Sequence, residues 1–131
     1  PQTFCHGDLT FTNIIFNKNR LYLIDFLDCF IDSFLCDLIK LKQDLYYHWS
    51  LDVQGVESLR IRQIYSYIWE KIEQRYSEYV DTIEFNVLDI LNTLRIEPYL
   101  TNEDQRLIIK RMLKCSSLYG NVSCTDGREV E

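Results

Sequence analysis

The sequence predicts a mainly α-helical fold opened by one small β-hairpin, and three observations predict it. Two short apolar runs rich in β-formers, Asn13–Phe16 and Leu21–Phe26, flank the polar turn residues Asn17-Lys18-Asn19. Beyond about residue 38 the apolar residues recur at helical spacing, with N-terminal cap signals between the runs. Only two Pro and four Gly occur in 131 residues, so little of the chain reads as linker.

The elements follow in order. The hairpin places Asp25 at the end of its second strand, where strand hands over to loop. Leu35, Leu38, Ile39, Leu41 and Leu45 predict a helix from about Leu35 to Trp49, broken at Gly55. A long helix from about Glu57 to Tyr79 carries the stripe Leu59, Ile61, Ile64, Tyr67, Ile68, Ile72 and Tyr76. Asp81-Thr82-Ile83-Glu84 resembles a capping box and starts a helix through Val87, Leu88, Ile90, Leu91 and Leu94 that stops before Pro98. Thr101-Asn102-Glu103-Asp104 opens a last helix through about Tyr119, with Gly120 as its stop.

Composition narrows the function classes. Hydrophobic residues make up 47% and charged residues 26%, within the range of packed domains. The net charge of −6 argues against a nucleic-acid partner, which calls for a basic footprint, and is compatible with a cationic substrate. No run approaches the length of a membrane span and no signal peptide opens the chain, so a cytoplasmic protein is expected. Cys5, Cys29, Cys36, Cys115 and Cys124 include no C-x-x-C pair, and His6 and His48 lie far apart. Reduced thiols are therefore expected rather than a zinc site.

The chemistry concentrates in His6-Gly7-Asp8-Leu9-Thr10-Phe11-Thr12-Asn13 and Ile24-Asp25-Phe26. Phosphoryl transfer needs a carboxylate beside the acceptor hydroxyl and oxygen ligands that hold magnesium on the nucleotide phosphates. Asp8 supplies the first; Asn13, five residues on, supplies an amide oxygen, and Asp25 a charged one. A hairpin returns the chain to its starting point, which brings Asn13 at its entrance close to Asp25 at its exit. A carboxylate directly after the apolar run Leu21–Ile24 is costly to bury without a partner. By themselves Asp8 reads as a turn or cap residue and Asn13 as a strand-entry residue; the combined spacing is what carries the signal. Tyr46, Tyr47 and Trp49 form an aromatic group that could cage a quaternary ammonium, although a core role is the ordinary one for such residues.

H-G-D-L-x-x-x-N, then I-D-F, then Asp32-Ser33-Phe34-Leu35-Cys36-Asp37-Leu38 resemble the aminoglycoside phosphotransferase and choline kinase superfamily over residues 4–45. The resemblance implies the C-terminal lobe portion of a protein-kinase-like α+β fold, with ATP and Mg2+ as cofactors and a small-molecule hydroxyl substrate such as an aminoglycoside, choline, ethanolamine or a sugar. It makes Asp8 the catalytic aspartate and Asn13 and Asp25 the metal ligands that hold the nucleotide through magnesium. His6 and Asp37 become structural supports of the catalytic loop. Gly7 stands where a protein kinase has Arg, and Leu27 where it has the last Gly of D-F-G, which speaks against a true protein kinase.

A working kinase of this kind also needs a Gly-rich loop and a strand lysine for the phosphates, and neither is visible in the sequence. Residues 1–122 are therefore expected to be the C-terminal part of a phosphotransferase domain, inactive by itself, with residues 123–131 as a flexible tail. Apolar surface that faces missing helices should leave such a fragment prone to self-association. The rival reading is a non-catalytic kinase-like binding or scaffold module, against which the joint presence of Asp8, Asn13 and Asp25 argues.

Overall fold

The computed structural model describes residues 2–29 and 31–116. Strand β1 (Ile14–Asn17) pairs antiparallel with β2 (Arg20–Leu23), in the register Ile14 with Leu23 through Asn17 with Arg20. The turn is two residues rather than the three expected. Lys18 and Asn19 both have positive φ, 45° and 62°, a conformation that matches the twist of paired strands and lets Asn17 join the ladder. Both faces of the hairpin are largely exposed, including Phe16 and Leu21.

Helix α1 (Phe34–Leu45) is the centre of the molecule and packs on α2 (Trp49–Val53), α3 (Leu59–Arg75) and α5 (Ile83–Ile96). Ser33 caps α1 by accepting from the Leu35 amide. The expected helix to Trp49 is instead two helices. His48 sits at φ 59°, a left-handed conformation that a right-handed helix cannot pass through, and α2 starts after it. The expected helix from Glu57 to Tyr79 also divides: α3 ends at Arg75, and a short α4 (Ser77–Val80) follows the non-helical Tyr76. Thr82, not Asp81, caps α5 by accepting from the Phe85 amide, and α5 stops before Pro98 as expected. Asn102 caps α6 (Glu103–Cys115), which ends short of Tyr119; Tyr119, Gly120 and the tail lie outside the described residues.

The main core joins Leu35, Leu38, Ile39 and Leu45 of α1 to Trp69, Val80 and Phe85. A second cluster gathers Tyr47 with Ile109 and Met112 of α6. Asp52 of α2 ties the far side together, pairing with Arg62 of α3 at 2.6 Å and with Arg111 of α6.

Two of the predicted stripes pack only in part. On α3 the expected Ile68 and Ile72 pack on the core beside Tyr65 and Trp69, whereas Leu59, Ile61, Ile64 and Tyr67 are exposed. On α5 the expected Leu88 packs on the core beside the buried Phe85, Asp89, Asn92 and Thr93, whereas Val87, Leu91 and Leu94 are exposed. The reason is the polar partner surface of α1. Lys42 Nζ reaches Asp89 Oδ2 at 2.8 Å, and Asn92 donates to Gln43 Oε1 at 3.0 Å, so α5 turns its polar row inward.

No helix among the described residues is long and apolar enough to cross a membrane. Cys5, Cys29 and Cys36 are free thiols, as expected; Cys115 is disulfide-bonded, which corrects that expectation at its position. Cys124 lies outside the described residues.

Candidate active site

The site is a loop held down on one face of a buried helix. Residues 6–13 pass over α1, and three side chains of α1 grip them. Asp37 Oδ2 accepts from the His6 amide at 2.7 Å and its Oδ1 from the Gly7 amide at 2.9 Å. Lys40 Nζ lies 3.0 Å from Asp8 Oδ1. Asp44 Oδ2 accepts from the Phe11 amide at 2.9 Å. Residues at i, i+3 and i+7 share one helix face, so the three contacts form a single row along the loop.

Gly7 is dictated by backbone and space together. Its φ is +85°, and a Cβ there would lie 1.9 Å from the Leu27 carbonyl oxygen. Leu27 returns the contact by donating its amide to the His6 carbonyl at 2.9 Å. His6 is buried against Phe26, with ring centroids 4.2 Å apart, and its Nδ1 accepts from the Asp8 amide at 3.3 Å. That contact places the ring proton on Nε2, which is buried without a partner among the described residues. His6 and Asp37 thus both bond to the backbone of the loop.

Asn13 enters the hairpin as the last residue of a single 3-10 turn, Phe11–Asn13. Its Nδ2 donates to the Asp8 carbonyl at 2.8 Å and to Asp8 Oδ2 at 3.1 Å, which commits the amide nitrogen and leaves Oδ1 as the atom a cation could use. Its backbone carbonyl accepts from the Ile24 amide at 3.1 Å, one step beyond the Ile14–Leu23 pair. Asp25 is the next residue, exposed and at φ 58°, a left-handed conformation that Asp tolerates better than most side chains. The hairpin therefore carries Asn13 and Asp25 to the same end of the ladder, with Asp8 bonded to Asn13.

Could these residues hold magnesium? One amide oxygen and one carboxylate suit a cation that keeps several waters and takes its remaining oxygens from phosphates. Among the described residues no group of three or more His, Cys, Asp or Glu is placed to hold a metal by itself. The donor set thus fits a nucleotide-bound magnesium better than an all-protein cage.

Two functional contacts escaped the sequence, those of Lys40 and Asp44. The signal is charged residues at i, i+3 and i+7 of α1, but Lys42 and Gln43 are polar too, and only Asp37 falls within the motif. The aromatic group also resolves. Lys42 Nζ lies 5.6 Å from the Tyr46 ring centroid, 5.4 Å from that of Tyr47 and 5.5 Å from that of Phe85, so the protein's own ammonium fills the space. Trp49 packs separately against the α6 cluster. Burial, then the charge of Asp89 and its hydrogen bond, push the Tyr47 phenol far above its ordinary value. Cys29 Sγ donates to the Gly7 carbonyl at 3.6 Å; burial pushes this thiol up, which keeps it a protonated donor.

No curated protein and no solved structure matches the chain. Residues 1–78 match the model of the phosphotransferase enzyme family; they contain the gripped loop, the hairpin, α1 and α2, and the chain belongs to that family.

Proposed function

We propose that this chain is the catalytic-loop and helical C-terminal lobe part of an ATP- and magnesium-dependent phosphotransferase, which phosphorylates a hydroxyl of a small molecule such as an aminoglycoside, choline, ethanolamine or a sugar. One observation carries the reading: Asn13 bonds Asp8 through its side chain and Ile24 through its backbone, which gathers Asp8, Asn13 and Asp25 at one end of the hairpin.

In this reading Asp8 orients the acceptor hydroxyl and takes its proton. Its side chain is about one quarter exposed, so one edge is open to an incoming hydroxyl while the others are held. Asn13 Oδ1 and the Asp25 carboxylate hold the magnesium, and bound magnesium neutralises the phosphate charge. Asp37 and His6 keep the loop rigid, which matters because positioning supplies much of the rate in such transfers. The protein acts in the cytoplasm.

The 131 residues contain no Gly-rich phosphate loop, so the isolated polypeptide transfers no phosphate. Its bare apolar rows, Leu59, Ile61 and Ile64 on α3 and Val87, Leu91 and Leu94 on α5, make it self-associate, visible as species heavier than the monomer in sedimentation velocity.

The test is a panel of small hydroxyl acceptors with magnesium-ATP and the full-length natural protein, alongside D8N and D25A. Transfer to one acceptor class, abolished by either substitution, is expected. Transfer that survives both would assign the chemistry to other residues.

A further inference from the structure

Lys40 is the one charged group that α1 applies to the Asp8 side chain rather than to the loop backbone. Asp37 and Asp44 already satisfy the amides of His6, Gly7 and Phe11. The lysine side chain is only 9% exposed, against 27% for its partner, so a desolvated ammonium sits behind a carboxylate that is open on one edge. A buried cation is costly unless paired, and holding the loop's path does not require one. The carboxylate is fixed at both oxygens, Oδ1 by Lys40 at 3.0 Å and Oδ2 by the Asn13 amide at 3.1 Å. Two anchors on opposite oxygens define the plane of the carboxylate, whereas one leaves it free to turn about its Cβ–Cγ bond.

We propose that Lys40 is a positioning residue for Asp8, fixing the plane of its carboxylate so that one edge faces the acceptor hydroxyl. The inference rests on the reading of Asp8 as the acceptor-side carboxylate. Lys40 exchanges no proton and forms no bond in the reaction; it acts through Asp8. Its helix links it to the grip on the loop, because Asp37 lies one turn before it and Asp44 one turn after.

The test measures phosphate release from magnesium-ATP, with water as acceptor, in the full-length natural protein and its variants. K40M and K40Q should lower kcat on the order of 10²-fold, the cost of a misplaced catalytic group. The KM for the nucleotide should stay within about threefold, because the lysine bears on Asp8 and not on nucleotide binding. K40R, which restores the charge, should return kcat to within about tenfold of the native rate. A kcat for folded K40M within about twofold of native, or a K40R no faster than K40M, overturns the inference. D8N separates the two levels: native-like release by D8N sinks the role of Asp8 itself, whereas a slow D8N beside a fast K40M sinks only the role of Lys40. Circular dichroism checks folding. Where a neutral variant fails to fold, K40R decides: a rate within about tenfold of native supports the inference, and a loss equal to that of D8N overturns it.

Discussion

Gly7 and Leu27 meet so closely that no side chain fits between them: a Cβ on Gly7 would stand 1.9 Å from the Leu27 carbonyl oxygen. The contact joins the loop before the hairpin to the segment after it, and the Leu27 amide seals it through the His6 carbonyl. Gly7→Ala should therefore cost at least the ~1–3 kcal/mol of a strained backbone residue, with the overlap added. Urea unfolding measures it, and a midpoint equal to the native one would show that the loop sits differently.

Asp37 binds two consecutive amides with its two oxygens. Asp37→Ala strands both donors, and each bond to a charged acceptor is worth about 1.5–3 kcal/mol. The expected result is a lower unfolding midpoint together with faster hydrogen exchange at the His6 and Gly7 amides. Unchanged exchange at these amides would disprove the grip.

Lys42 and Asp89 form an interior ion pair, both side chains nearly without solvent contact. Lys42→Met leaves the Asp89 charge uncompensated and should destabilise by about 3–5 kcal/mol. The double substitution K42M/D89N removes both charges while keeping an acceptor for the Tyr47 phenol, and should recover most of the loss, since no uncompensated charge is left buried. A double variant no more stable than K42M would mean that the pair is needed for more than charge balance.

Tyr47 ties folding to alkaline pH. Its phenol donates to Asp89 Oδ2 at 2.6 Å, and its folded-state pKa is raised by burial first and by Asp89 next. An unfolded Tyr loses its proton near pH ~10, so above that the unfolded chain binds fewer protons than the folded one and stability falls as pH rises. Below that pH the contribution is fully present. Tyr47→Phe should flatten the alkaline limb of the melting-temperature profile, and an identical limb in the variant would rule this source out.

His48 has the opposite sign. Its pKa is lowered, chiefly by burial and then by Arg62. Between the lowered value and the ordinary one near ~6.5 the unfolded chain binds more protons, so stability falls as pH drops below about 6.5. Replacement of His48 by Asn, which also tolerates left-handed backbone, should reduce this acid sensitivity in melts run from pH 7 to pH 5.

The hairpin, the caps at Thr82 and Asn102, and the stop before Pro98 are local matters. Turn chemistry and cap hydrogen bonds involve residues within a few positions of one another, and local sequence states them. The Asp8, Asn13 and Asp25 spacing is legible for the same reason, because a hairpin is the shortest route between its own ends. The breaks at His48 and Tyr76 were not legible, since each depends on how the flanking helices dock rather than on a Gly or Pro in the chain.

By itself, the sequence determined the order of elements, the motif and the family to which that motif points. Tertiary structure alone decided which faces are buried and what grips the loop. An apolar row on α5 predicts an inward face only if its partner is apolar. Here α1 offers Lys42 and Gln43, and buried polar groups must be paired, so Asp89 and Asn92 turn in while Leu91 and Leu94 turn out. Likewise Lys40 and Asp8 stand 32 positions apart in the chain, and only the packing of the loop on α1 places an ammonium against that carboxylate.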